Sequence, residues 1–322
     1  GKQMKKRLIF LTILAMVLTG ILSGCKKKAP AQESDPTQAN KGIVEVDEDE
    51  KEKIIKEFDN IVEKHEDLED IVAYVNQNIG KVDELNANDM IDTLEKTLEI
   101  NLDDVFDRIL ATDKKNELME IAGTQINFPE DKIGEIKNKK LKTEITKIYN
   151  SKLKLVNLEG AFYPIIDYAK FSEYNGFVSE EWRDYLSLKA FDSDDIPFVD
   201  GSIRIPFDSL ADRILKTENF LNKFIDGPRQ EEILDQYEQK LSAYMKGLDN
   251  TAIYDGNNTK LIFDDVMDSY DKLSKVDGYI TPTIVYKYIE VIKENKGVID
   301  ENVFKEADKF IAEAVEMLKE FK

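Results

Sequence analysis

One cysteine, one histidine and one tryptophan occur among the 322 residues. Each scarcity removes a class of chemistry. A lone thiol closes no disulfide within the chain and builds no multi-thiolate zinc site. A lone imidazole, His65, leaves out His-rich metal sites and the H-E-x-x-H metalloprotease helix, and any Ser-His-Asp arrangement would have to be assembled around that residue. Glycine is sparse and never falls in a G-x-G spacing, so there is neither a Walker loop nor a dinucleotide-binding G-x-G-x-x-G, and a G-x-S-x-G elbow is missing as well. Positive charge is also short: 45 Lys+Arg face 65 Asp+Glu, for a net charge of −20. A body of that sign does not gather nucleic acid through its overall field and is repelled by an anionic membrane. No alternation of strand-like and helix-like segments is visible. That argues against the parallel-sheet architecture common among extracytoplasmic solute receptors.

What is present begins at the amino end. Lys5, Lys6 and Arg7 precede an apolar run from Leu8 to Leu22, broken only by Thr12, Thr19 and Gly20. That run is shorter than the roughly 20 apolar residues of a spanning helix. Leu22-Ser23-Gly24-Cys25 follows, and then Lys26, Lys27 and Lys28. The layout is that of a secretory signal, and the pattern leucine, two small residues, cysteine resembles the lipobox of bacterial prolipoproteins. The resemblance covers residues 4–25 only, with Met4 read as the natural start. It implies cleavage before Cys25, a covalent diacylglycerol lipid on Cys25, and a mature protein at the outer face of the bacterial cytoplasmic membrane. Paired acyl chains hold stably at about 0.8 kcal/mol per buried CH₂. No other cofactor is expected.

Residues 1–24 are thus read as a signal peptide. Residues 25–49, with Pro30, Pro36 and many small polar side chains, are read as the lipidated cysteine and a flexible tether. Residues 50–322 are read as an acidic helical body, with a division near 127–156 left open. In the body, apolar residues recur every three or four positions. Ile54, Phe58, Ile61, His65, Leu68, Val72 and Val75 read as one continuous helical stripe ending near Gly80. Asn88 reads as the cap of the next helix. Leu155–Tyr174 reads as a helix with Pro164 at a first turn or a kink. Stripes on both sides of Asp226-Gly227-Pro228 predict an αα-hairpin, and helices near 264–275, 282–295 and 301–321 close the chain. Asp255-Gly256 between short apolar runs predicts one small β-hairpin at 251–263, a plain loop being the alternative. The expected fold is all-α, an irregular multi-helix bundle or helical array.

Aromatic residues concentrate between 162 and 191: Phe162, Tyr163, Tyr168, Phe171, Tyr174, Phe177, Trp182, Tyr185 and Phe191. Rings with an apolar body and a polar tip suit a pocket or an interface as well as a core. Tyr163, Tyr168, Tyr174, Trp182, Arg183 and Tyr185 are therefore the candidate contacts for a protein or small-molecule partner. The acidic run after them, with Asp192, Asp194 and Asp195, offers oxygen ligands of the kind calcium takes, without the spacing of an EF-hand. His65, placed on an apolar stripe, is expected at a core edge with one hydrogen bond. Lysines between Lys137 and Lys154 form a local exception to the acidic field, suited to headgroups, an anionic polymer or an acidic partner.

The function these features point to is a membrane-anchored extracytoplasmic lipoprotein with a helical binding or interaction domain. One alternative is a carboxylate- or metal-dependent enzyme acting on cell-envelope material. Another is a helical solute-binding receptor. Catalytic residues are not assignable from the sequence, and nucleic acid is not among the expected partners.

Overall fold

Why the first apolar stripe folds as two helices rather than one shows how the body is built. In the computed structural model, which describes residues 42–320, helix α1 spans Glu48–Glu63. Asp47 caps it by accepting the Glu50 N–H at 2.8 Å, and Glu48, Asp49 and Glu50 lie at the positive end of its dipole. The helix then stops, although the three-and-four spacing runs on. His65 adopts φ 53°, its N–H bonds Val62 O, and the Glu66 N–H bonds back to Ile61 O at 3.2 Å. That pair of bonds is a Schellman termination, with histidine in the left-handed position usually held by glycine. Helix α2 (Leu68–Asn78) packs back on α1: Tyr74 stacks on Phe58 and donates its hydroxyl to Ile54 O at 3.0 Å. The expected continuous stripe is corrected to two helices, and His65 is exposed rather than at a core edge.

Helix α3 (Glu84–Ile100) starts at Asp83, not at Asn88. Asn88 instead holds the start of a later helix, accepting the Ser179 N–H at 2.9 Å. Helices α4 (Leu102–Thr112), α5 (Glu117–Ala122) and α6 (Lys139–Asn150) follow.

The segment expected as a helix over 155–174 is a β-hairpin. Strand β1 (Leu153–Leu158) pairs antiparallel with β2 (Ala161–Ile166) around Glu159 and Gly160, both at positive φ. Such a turn matches the twist of the flanking strands. Residues 126–128 bond the other edge of β1, through Phe128 N–H to Leu155 O and Asn157 N–H to Ile126 O. Leu155 therefore directs its polar groups away from its partner Pro164. Pro164 sits on an edge strand at a position where no N–H is needed. A second, two-residue pairing joins β3 (Phe198–Val199) to β4 (Ser202–Ile203). At 251–263 the chain does double back, by a single Tyr254–Ile262 bridge and a Phe263 N–H bond to Ile253 O.

Between these pairings lies α7 (Glu180–Asp194), and beyond them α8 (Phe207–Lys223), α9 (Gln230–Lys246), α10 (Asp264–Ser274), α11 (Thr281–Glu294) and α12 (Glu301–Lys319). The α8–α9 pair is the αα-hairpin predicted from Asp226-Gly227-Pro228. The fold is thus mainly α-helical with small antiparallel hairpins. Helix α1 begins two residues before the expected start of the body, and Val44 N–H already bonds Gly80 O, so the body starts earlier than residue 50.

One continuous cluster of buried side chains runs from Phe58 to Leu318, and 127–156 is woven into it through Phe128, Leu141, Ile145 and Leu155. Six tyrosines are almost wholly buried. Five of them place the hydroxyl on a partner: Tyr174 on Asn76, Tyr185 on Glu95, Tyr237 on Thr281, Tyr244 on Ser269 and Tyr270 on Tyr244 O. Each such bond adds about 1 kcal/mol net. Among the described residues no helix is long and apolar enough to cross a membrane.

Candidate functional site

The aromatic segment is the first place to look, and the structure turns most of it inward. Phe171 stands edge-on to Tyr174, and Trp182 edge-on to Tyr185. Tyr168 packs against Phe171, and Tyr163 lies flat on Phe106 with ring centres 4.1 Å apart. Tyr174 and Tyr185 are buried; Tyr163, Tyr168, Trp182 and Arg183 are half-buried. Arg183 donates to Val178 O at 2.7 Å and so closes the loop ahead of its own helix.

At the centre of this packing sits a charged network the sequence did not announce. Glu95 of α3 is 1% exposed. It accepts the Tyr185 hydroxyl at 2.5 Å and faces the Arg229 guanidinium at 2.5 Å. Arg229 also reaches Asp92 at 2.6 Å, and Lys189 pairs with Glu232 at 3.1 Å. Burial pushes the Glu95 carboxyl above its ordinary range, against the pull of Tyr185 and Arg229. Burial likewise raises the hydroxyls of Tyr185 and Tyr168, with the Glu95 charge adding to the effect. The network ties α3, α7 and the start of α9 together.

Lys152 shows the same inward use of charge. Its ammonium is held by Glu173 at 2.7 Å and Lys170 O at 3.1 Å, and lies 4.6 Å from the centre of the Tyr174 ring. Burial lowers its pKa.

The acidic run at Asp192, Asp194 and Asp195 is held in ion pairs. Asp192 and Asp194 lie on the last turn of α7, and Asp195 follows it. Asp192 takes Arg213 at 3.0 Å and Lys240 at 2.7 Å; Asp195 takes Arg213 at 3.4 Å; Asp194 faces Lys154 at 3.6 Å. Three cations stand where a metal ion would need room. Among the described residues no group of three or more His, Cys, Asp or Glu side chains is arranged to hold a metal ion.

Open space lies elsewhere. A cleft of about 310 Å³ forms where the α1–α2 turn meets the end of α3, the start of α4 and the outer part of α6. Val62, Ile71, Val105, Ile148 and Leu153 supply its apolar lining. Arg108 and Lys147 supply cations, His65 an imidazole, and Glu66, Asp67, Glu69 and Glu144 acids. Ile100, at the last turn of α3, lines the same cleft and is 75% exposed. Arg108 meets Glu144 at 3.3 Å and Lys147 meets Asp67 at 3.5 Å, each pair with solvent access on both sides. Such pairs contribute little to stability. The lone histidine therefore stands at a cleft mouth, held there by a backbone that costs roughly 1–2 kcal/mol for a residue with a Cβ. Sequence reasoning placed His65 on a buried face. The signal that could have moved it was Asp67 ahead of Leu68, a candidate start for a new helix.

Chemically, the cleft combines an apolar lining with an arginine, a lysine and an imidazole. An apolar wall beside exposed cationic groups is chemically suited to a small amphiphile with an acidic head. The two hydroxyls in the lining, Thr97 and Ser151, donate to Thr93 O and Lys147 O, and the His65 imidazole makes no hydrogen bond to a described residue, so no nucleophile–base pair is formed. The aromatic candidates Tyr163, Tyr168, Tyr174, Trp182 and Tyr185 do not line it. Comparison with protein-family models, with curated proteins and with solved structures found no match to the chain.

Proposed function

We propose that the chain is a lipid-anchored, extracytoplasmic binding module. Its all-α body is held at the outer face of the bacterial cytoplasmic membrane by a diacylglycerol group on Cys25. The His65 cleft takes a small ligand with an apolar part and a carboxylate or phosphate head. The anchor rests on the lipobox-like Leu22-Ser23-Gly24-Cys25. The ligand site rests on one observation above all: a cleft of about 310 Å³ with apolar walls is rimmed by His65, Arg108 and Lys147, and the ion pairs of Arg108 and Lys147 are open to solvent. That volume lies at the lower end for small-molecule sites. Binding, rather than catalysis, fits a cleft whose one imidazole has no partner to activate.

Two measurements test this reading. Cys25→Ala, expressed in a bacterium that lipidates prolipoproteins, should leave the membrane fraction without acylated protein by mass spectrometry. Acylation elsewhere would remove the anchor. For the cleft, the single histidine gives one imidazole Hε1 resonance. Titration with short-chain fatty acids and alkyl phosphates should shift that resonance saturably, and Arg108→Gln should weaken binding about tenfold. An unmoved resonance across both probe series would reject the cleft as a site for acidic amphiphiles.

A further inference from the structure

The corner where the α4–α5 turn meets the start of α6 runs against the charge of the rest of the body. Lys114 and Lys115 lie in that turn, and Lys137, Lys139 and Lys140 lead into α6. The two segments are joined directly. Asn138 Nδ2 donates to Thr112 O at 3.5 Å, and the Glu117 carboxylate accepts the N–H groups of Lys137 and Asn138. All five lysines are exposed, and none makes an ion pair with a described residue. Most described lysines elsewhere are drawn into pairs, as Lys147 with Asp67, Lys170 with Glu130, Lys223 with Glu180 and Lys246 with Asp308, and those that are not, such as Lys53, Lys260 and Lys296, are scattered along the chain.

The acids at this corner do not neutralise it. Asp113 and Glu117 turn their carboxylates onto backbone N–H groups, and Glu144, further along α6, is taken by Arg108. Glu135 is the exposed acid nearest in sequence. Lys132 and Lys142 bond carbonyls, at Ile121 and Gly134, and pair with no described acid. Lys139 and Lys140 occupy the first turn of α6, where the helix dipole disfavours a cation.

We propose that this corner is the membrane-facing surface of the body and seats it on anionic phospholipid headgroups. The proposal rests on the lipid anchor at Cys25. Residues 26–41 span at most about 55 Å even when drawn out fully. An anchored body therefore meets the bilayer at high effective concentration, and no free polymer has that advantage. Ammonium groups on flexible stems suit a diffuse array of phosphates better than one bidentate ligand. The attraction acts within a Debye length of about 8 Å. The corner alone feels it, and the acidic remainder is turned away from the surface.

The test is a lysine-acetylation footprint of the full lipidated chain on phosphatidylcholine vesicles with and without 30% phosphatidylglycerol, read by mass spectrometry. At low salt, Lys114, Lys115, Lys137, Lys139 and Lys140 should react several-fold more slowly on the anionic vesicles, while exposed Lys260 and Lys296 keep their rates. The protection should vanish at about 0.5 M salt. Equal rates on both vesicles would overturn the proposal. So would protection by soluble poly(glycerol phosphate) without protection by vesicles, which would assign the corner to a wall polymer. Failure of the anchor shows separately, as a native chain that does not float with pure phosphatidylcholine vesicles. In that case salt-sensitive flotation with the anionic vesicles, lost when the five lysines become glutamine, would still uphold the corner.

Discussion

Helix α3 contributes to two polar clusters built on opposite terms. Around Glu95, every charge is answered from inside: Tyr185 and Arg229 meet the carboxylate, and Asp92 takes the remaining face of the guanidinium. Around Thr97, Ile100 and Asn101, about one turn further on, the charges of Arg108 and Lys147 and the His65 imidazole face water beside an apolar lining. The first arrangement fixes three helices in place and leaves nothing for a ligand. The second gives up stability and keeps its options. Aromatic density in the chain marks the closed cluster, and the break in an apolar stripe marks the open one.

The closed cluster is the one whose loss should be felt most. Arg229→Met removes the cation and leaves Glu95 buried without it. Breaking a buried pair in this way costs about 3–5 kcal/mol, measured as a lower urea midpoint with unchanged m. The pH dependence has a definite sign. The Glu95 carboxyl is raised above its unfolded value by burial, so the folded state holds its proton more tightly. The resulting penalty is absent below the unfolded pKa and grows as pH rises through the raised folded value. Without Arg229 the penalty deepens. The variant should therefore recover toward wild type as pH falls from 7 to 4.5, and a deficit that stays constant over that window would show that the pair is not what holds the helices.

A second buried carboxylate sharpens the contrast because it answers backbone rather than charge. Glu218 of α8, fully buried, accepts the N–H groups of Ile280 and Thr281 and the Thr281 hydroxyl, and so caps α11 from another helix. Glu218→Leu leaves those donors without partners and should cost about 2–3 kcal/mol by thermal or urea unfolding. The His65 resonance, which belongs to the open cluster, should not move. A shifted imidazole signal in this variant would mean the two clusters are coupled.

What the chain disclosed beforehand follows the same division. Stripes such as Ala307, Ile311, Ala314 and Leu318 are legible because one face of a helix must be apolar, and α12 buries those residues. The hairpin at 153–166 was hidden because β1 buries Leu155 and Val156 on opposite faces and β2, although its burial alternates, carries apolar Ala161, Tyr163 and Ile165 on its less buried face, so the apolar–polar alternation that marks a half-exposed strand is blurred. Glu159-Gly160 and Pro164 were the usable signals, and only glycine and proline chemistry distinguishes them from a helix interior. The Glu95–Arg229 pairing had no sequence signal at all: Asp92 and Arg229 stand 137 residues apart. The cleft is similarly assembled from α1, α2, α3, α4 and α6. The stripe through His65 misled because Ile61, His65 and Leu68 keep a helical spacing across a turn that is not helical.

The smallest predicted effect is the most discriminating for the open cluster. His65 holds φ 53° at the position where a Schellman termination favours glycine. Relief of the left-handed strain is worth roughly 1–2 kcal/mol, and the added freedom of glycine in the unfolded chain returns about 0.5–1 kcal/mol. His65→Gly should therefore raise stability by about 0.5 kcal/mol, and His65→Ala should leave it nearly unchanged. If the imidazole is there for a ligand, the glycine variant should bind short-chain fatty acids less tightly while melting at a higher temperature. A glycine variant that is less stable than wild type would instead give the imidazole a structural contact and move the lone histidine back among the residues that hold the fold.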